Sequence, residues 1–277
     1  MKIEQPFSAG AGGLALLFWC YRDVALSAER LRHLRRLHPH QRIYALHGGP
    51  EEDASDFERA LGPGLDDFYV ARRQPDPHLK WLQGDLEIVE WLEARGRELE
   101  WSSIAVVQWD LLVAAPIPRV LPALGPGQCY FSGLRPLDAT LESRWYWTRP
   151  GQHQRSYQRF RAQLARRYDF HDQPSACLFL FAVLPRPFLE LYARESRGLA
   201  GFLEYKLPTL ARQQGFPCLV QDLGVFWDPL ERPVQRPLHA LPQPIPRPYI
   251  EAELARPDGF RLFHPVPYSF EHSAGTE

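Results

Sequence analysis

Lysine is nearly absent from this chain. Of its 32 basic residues only Lys2, Lys80 and Lys206 are lysines; the rest are arginines. Against 33 acidic residues the formal net charge is −1, which excludes the broad positive field that draws in nucleic acid or an anionic membrane surface. Cysteine is scarce too. Cys20, Cys129, Cys177 and Cys218 are far apart and no two stand at C-x-x-C spacing, which argues against a zinc ribbon or a dithiol redox motif. Cys20, Cys177 and Cys218 lie in or beside apolar runs and read as small core residues. The apolar run Leu14–Cys20 is too short to cross a bilayer, and MKIEQPFSAGAGG lacks the basic-then-apolar order of a secretory signal. The expectation is a cytoplasmic protein with no integral membrane segment and no nucleic-acid partner.

Several catalytic signatures are missing as well. There is no G-x-x-x-x-G-K-[ST] phosphate loop and no G-x-G-x-x-G after the first apolar run. The glycines at 10–13 precede that run, the wrong side for a dinucleotide fingerprint. The absence of G-x-S-x-G argues against an α/β-hydrolase, and no H-E-x-x-H is present.

What is present is an alternation. Gly13–Tyr21 is a continuous apolar run that suits a strand buried on both faces. Ser27 precedes a helical pattern with Leu31, Leu34 and Leu37 on one face. Gln41–His47 reads as a second strand, residues 51–61 as a short helix and Asp67–Ala71 as a third strand. His78–Arg95 carries Leu79, Leu82, Leu86, Val89 and Leu92 at helical spacing, with Gly96 as a stop. A fourth strand begins at Ile104. Further on come a helix over Tyr157–Tyr168, a strand over Cys177–Val183, helices over Pro187–Arg197 and Phe202–Gln214, and a strand over Pro217–Gln221. The prolines at 229, 233, 237, 242, 244, 246 and 248 predict an extended, poorly helical tail that packs across the body. Strand and helix in alternation predict a mostly parallel sheet whose strand C-terminal ends share one edge, where ligands bind.

One carboxylate sits at that edge. In IAVVQWDLLVAAP an apolar run climbs to Asp110 and turns apolar again. A carboxylate there needs a partner: a metal, an ion pair or a helix N-terminus to cap.

Four stretches taken in order resemble a GT-A-type nucleotide-diphospho-sugar glycosyltransferase. They are Phe18-Trp-Cys-Tyr-Arg22, Lys80-Trp-Leu-Gln-Gly-Asp85, Val107-Gln-Trp-Asp110 at the place of the family's D-x-D or E-x-D metal motif, and Phe263-His-Pro-Val266 where many members carry a metal-binding histidine. The chain departs from the pattern at Gln108, where the motif has a carboxylate, and at Pro267, where such families often have lysine. The resemblance implies a GT-A-like (Rossmann-like) α/β fold: a mixed, mostly parallel sheet flanked by helices with a proline-rich C-terminal extension. It implies one domain over 1–277, with a nucleotide-binding half at 13–125, an acceptor half at 126–228 and the extension at 229–277. It also implies transfer of a sugar from a nucleoside-diphosphate donor to a saccharide, lipid or protein acceptor. Asp110 and His264 would hold Mn²⁺ or Mg²⁺, hard cations that take oxygen ligands, with Mn²⁺ also accepting imidazole. Phe18, Tyr21, Arg22, His47, Lys80, Asp85 and Trp109 would surround the nucleotide, with Arg22 near phosphate.

On the acceptor side the candidate general base is Glu204, with Asp172 beside His171 as a lesser one. A plain helix-first-turn glutamate and a local turn are the structural alternatives. Trp145 and Trp147, two residues apart, suit either a sugar platform or ordinary core packing. Two other readings stand beside the transferase: a module of the same fold that binds without turnover, to which Gln108 points, and a metal-dependent phosphohydrolase, which would want more carboxylates near the metal.

Overall fold

The computed structural model describes residues 13–72, 79–228, 230–231 and 235–270, the side chains of 79–81 excepted. β1 (Leu14–Cys20) is buried along its whole length, which accounts for its unbroken apolar sequence. α1 (Val24–Leu37) starts one turn earlier than Ser27 suggested. Asp23 is its N-cap, accepting from the Leu26 N–H at 3.0 Å, and the Ser27 hydroxyl instead donates to the Arg22 carbonyl. β2 (Ile43–His47), α2 (Ala54–Leu61), β3 (Asp67–Val70), α3 (Leu79–Trp91) and β4 (Ser103–Gln108) follow in the expected order. α3 is broken at Gln83 (φ −132°, ψ 21°). At the next residue, Gly84, an added Cβ would come within 2.2 Å of the Trp19 ring, so the indole of β1 lies directly on the helix backbone.

The second half holds β5 (Leu112–Val113), α4 (Ile117–Val120), β6 (Cys129–Phe131), β7 (Arg135–Pro136), α5 (Ala139–Arg144), α6 (Gln154–Tyr168), β8 (Ser175–Ala176), β9 (Phe181–Pro185), α7 (Arg186–Glu195), α8 (Leu203–Gln213), β10 (Cys218–Leu219), α9 (Arg247–Ala255) and β11 (Leu262–Phe263). Two expectations are corrected. The strand foreseen over Cys177–Val183 is interrupted: residues 177–180 form a buried irregular segment, and the ladder with β4 begins at Phe181. The proline tail is not uniformly extended either. α9 forms within it because Pro246 and Pro248 fall at the N-cap and in the first turn, where a helix needs no N–H from them.

Seven strands join in the order β10-β6-β9-β4-β1-β2-β3. β1 is parallel to both β2 and β4, β2 to β3 and β6 to β10, while β9 runs antiparallel between β4 and β6. The chain winds from β1 out to β3 and then returns to the other side of β1 for β4. The gap between the ends of β1 and β4 is therefore a topological switch point, where a cleft opens above the sheet. Because β9 is reversed, its beginning lies on that same edge, with Phe181 opposite Val107.

The C-terminal segment closes over this edge. β11 pairs antiparallel with β5, Leu238 bridges both Val225 and His264, and the Val266 N–H donates to the Asp110 carbonyl at 2.8 Å. Beneath it Leu112, Ile245, Ile250, Phe263, Val266 and Phe270 form a small apolar cluster of their own. Arg30 of α1 is buried there and donates to the carbonyls of Val266 and Tyr268 at 3.0 and 2.8 Å. The turn into β11 is tight: a Cβ on Gly259 would meet the Glu253 carbonyl oxygen at 1.9 Å. Gly259→Ala is expected to lower stability by about 1–3 kcal/mol, the usual range for forced overpacking. Urea unfolding checks this, and an unchanged midpoint would mean the turn is not held as described.

Candidate active site

A cavity of about 660 Å³ opens at the switch point. Tyr21 and Arg22 reach it from the end of β1, Gln108, Trp109 and Asp110 from the end of β4, and Leu178, Phe179 and Leu180 from the segment before β9. Phe202, Leu203 and Glu204 enter from the start of α8, Trp145–Trp147 from the turn after α5, and His264 from the C-terminal segment.

Asp110 and His264 meet. Nε2 of His264 lies 3.4 Å from Oδ1 of Asp110, and the side chains are 10% and 15% exposed, so the pair is sheltered without being sealed. Burial pulls the imidazole down, but the Asp110 charge outweighs it and holds His264 above its ordinary range. Burial likewise pushes the Asp110 carboxyl up, and the His264 charge, with a smaller contribution from Arg30, holds it below the usual carboxylate range. Nδ1 of His264 donates to the His239 carbonyl at 2.9 Å, fixing the ring so that Nε2 faces the carboxylate. His239 is itself buried within the tail.

These two residues fit a small divalent cation. Oδ1 of Asp110 is buried and accepts no hydrogen bond. Two neighbouring ligands of an octahedral ion at about 2.1 Å each would lie about 3 Å apart, close to the observed separation. Among the described residues no group of three or more His, Cys, Asp or Glu could hold a metal, so substrate oxygens and water would complete the shell. Gln108 shows why a second carboxylate is missing. Its Nε2 donates to the Phe179 carbonyl at 2.7 Å, and an acid in its place would face that carbonyl oxygen with no hydrogen to give.

Glu204 lines the cavity and is buried, and that burial lifts its pKa to about 8, with the Phe179 N–H opposing the rise. That N–H donates to Oε1 at 2.5 Å. Phe179 is thus held on both sides, its carbonyl by Gln108 and its N–H by Glu204. Ser132 braces the same segment by donating to the Leu178 carbonyl and accepting from the Phe181 N–H.

The remaining sequence candidates divide. Tyr21, Arg22 and Trp109 line the cavity. Burial and the nearby Asp110 charge push the Tyr21 hydroxyl up. Phe18 is fully buried core, and the indole that reaches the cavity is its neighbour Trp19, tied to Glu87 at 3.0 Å. His47 packs against Phe57 and Phe68 and contacts the Pro50 carbonyl, away from the cavity lining. Asp85 is not a nucleotide contact in this arrangement: it is wholly buried, ion-paired to Lys206 at 2.7 Å and bonded by the Tyr192 hydroxyl. Lys80 carries one of the side chains outside the described residues. Asp172 is exposed and does not line the cavity, and His171 beside it bonds Asp169. Sequence reasoning missed Trp19, Phe179, Arg144, Arg149 and Asp228, all of which line the cavity. Trp145 and Trp147 do not share a strand face. Trp145 is buried against Trp227 and Tyr205, while Trp147 stacks on Phe202 at 3.9 Å between centroids.

A pH signature follows from Glu204. Its folded pKa stands above its unfolded value, so the folded state holds a proton that the unfolded chain has released. The stabilising contribution is whole below about pH 4.5 and is lost as pH rises towards about 8. The slope within that window should approach about 1.4 kcal/mol per pH unit. Glu204→Gln should flatten it, as measured by urea unfolding at pH 5, 6.5 and 8; an unaltered slope would contradict the burial described.

No family model matches the chain, and no curated protein matches it. Among solved structures the chain is similar to galactosyltransferase LgtC in complex with donor and acceptor sugar analogs. The two are 12% identical, the match covers 76% of this chain and 75% of that chain, and the TM-score is 0.43.

Proposed function

We propose that the chain transfers a sugar from a nucleoside-diphosphate donor to an acceptor hydroxyl, assisted by Mn²⁺ or Mg²⁺. The observation that carries this reading is the sheltered Asp110–His264 pair, 3.4 Å apart in the switch-point cleft, in one cavity with a buried acid and an aromatic wall. A bound cation would act as a Lewis acid, neutralising the charge that grows on the departing diphosphate. Arg22, which lines the cavity, would share a diphosphate oxygen, and Tyr21 and Trp109 would flank the nucleotide.

In the reaction the bond between the anomeric carbon and the diphosphate oxygen breaks, and the acceptor oxygen bonds to that carbon. The acceptor hydroxyl loses its proton, and the nucleoside diphosphate leaves with the bonding pair. Glu204 is the residue for the proton. A carboxyl with a pKa of about 8 is a far stronger base than an ordinary carboxylate, and it acts once ionised. Asp172, exposed and outside the cavity lining, has no part in this scheme.

A second reading has its own observation. Gln108 is committed to the Phe179 carbonyl, which leaves two protein ligands for a cation. A module that binds the nucleotide-sugar without turning it over needs no more.

The binding test is a thermal-shift panel of UDP, GDP, dTDP and CMP with and without Mn²⁺. One diphosphate should raise the melting temperature only when Mn²⁺ is present, by an amount equivalent to about 2.7 kcal/mol at a hundredfold excess over its dissociation constant. Asp110→Asn should remove most of that shift, and the absence of a shift with every nucleotide refutes both readings. Turnover separates them. Hydrolysis of the cognate donor, lost in Asp110→Asn, marks the enzyme. Its transfer rate should climb with pH and level off above about 8, and Glu204→Gln should slow it by about 10²–10⁴-fold. A pH-independent rate would remove Glu204 from the base role.

A further inference from the structure

The cavity wall has an order. Asp110 ends β4 two residues after Gln108, Gln108 holds the Phe179 carbonyl, the Phe179 N–H is held by Glu204, Glu204 follows Phe202 on the same helix start, and Phe202 stacks on Trp147. The acid–imidazole pair, the buried acid and the Trp147 aromatics therefore belong to one connected lining. On the sugar-transfer reading, on which this inference rests, the diphosphate belongs with the acid–imidazole pair and the acceptor with the aromatics.

The aromatic part of the lining has its own chemistry. Tyr146 is half exposed at the cavity and meets Trp147 edge-on, with centroids 5.0 Å apart. Trp147 is backed by Phe202 at 3.9 Å, and His153 closes the group at 4.6 Å from Trp147. Backed rings of this kind present flat apolar faces to the C–H faces of a pyranose. Arg144 and Arg149, both exposed, line the same stretch, and the Arg149 guanidinium lies 5.5 Å from the Tyr146 ring centroid. Among the described residues neither arginine forms an ion pair. Glu142, the carboxylate nearest in sequence, faces Arg161. A third acid of the lining, Asp228, can accept hydrogen bonds from sugar hydroxyls. Two unpaired guanidiniums beside an aromatic platform match a ring that carries a negative group, because a planar guanidinium binds carboxylate and phosphate through paired N–H bonds.

We propose that the Tyr146–Trp147–Arg149 part of the cavity is the acceptor subsite and that the acceptor is an anionic saccharide, a sugar ring bearing a carboxylate or a phosphate. The probes are methyl β-glucuronide, glucose 6-phosphate and neutral methyl β-glucoside. They are titrated against the full chain without nucleotide, by saturation-transfer NMR and calorimetry. At least one anionic probe should bind about tenfold or more tighter than the neutral one, the effect of one charge-assisted hydrogen bond. Preference for the glucuronide identifies a carboxylate and preference for the sugar phosphate identifies a phosphate; either supports the proposal. Arg149→Ala and Arg144→Ala should erase the preference, whereas Arg119→Ala, an exposed arginine away from the cavity lining, should leave it intact. Trp147→Ala should weaken all three probes. Tyr146→Ala, at a half-exposed ring, gives the same readout if the tryptophan variant fails to fold. Equal affinity for charged and neutral probes, or no binding of any, overturns the proposal. The nucleotide thermal shift is a separate measurement. Its loss with anionic-sugar binding retained refutes sugar transfer, and the converse refutes the anionic acceptor alone.

Discussion

The docking of the C-terminal segment on the sheet edge is the constraint from which the site follows. Neither Asp110 nor His264 is placed by its neighbours in sequence. Asp110 stands in the turn between β4 and β5, and His264 is delivered by a strand that pairs with β5 itself. The same turn gives its carbonyl to the Val266 N–H, while Arg30 gathers the Val266 and Tyr268 carbonyls beneath. A buried guanidinium is costly unless its donors are used. Here Nη2 is used twice on the segment that carries the histidine and Nη1 pairs with Glu29, so the contacts that secure the tail also hold the imidazole near the carboxylate.

The body of the fold was legible for a simple reason. Parallel strands buried on both faces leave continuous apolar runs, and the helices between them leave a clear period, so β1 to β4 could be read in order. The same property hid part of the site. Every residue of β1 is buried, so alternation could not say whether Phe18 or Trp19 faces the cavity. The register could, since Trp19 pairs with Gln108 at the strand end, but register is not written in one strand's sequence. Asp85 was assigned to the nucleotide by resemblance, and nothing in its own stretch marks it as buried. Its partners, Lys206 and Tyr192, come from helices far along the chain, and only the assembled structure shows the pair. Lys206, one of three lysines, proved to be a buried counter-charge. The break at residues 177–180 was illegible in a different way: the segment is as apolar as a strand, and three polar side chains elsewhere decide its shape.

Those three side chains make fold and chemistry hard to separate. Gln108, Glu204 and Ser132 satisfy backbone groups of a buried segment that lacks a ladder partner of its own, as buried peptide groups require. The hydrogen bond that orients Glu204 is thus part of the folding of residues 177–180. The burial this imposes is what raises its pKa. A glutamate with that environment is destabilising at neutral pH compared with an exposed one, and its retention in a packed wall is what a proton-transfer role would explain.

The Asp110–His264 pair follows the opposite logic. Without a cation, the Asp110 charge favours the protonated form of His264 and the imidazolium favours the ionised form of Asp110. A protonated pair of this kind attracts a divalent ion weakly, because the ion must first displace the imidazole proton. A diphosphate changes the balance, because it brings two or more negative charges and several hard oxygens to the same point. On the proposed reading, cation and nucleotide therefore bind as linked partners, each raising the other's affinity by the same factor. On the same reading the neutral Gln108 strengthens that linkage, since the donor itself must supply the charge that the protein does not.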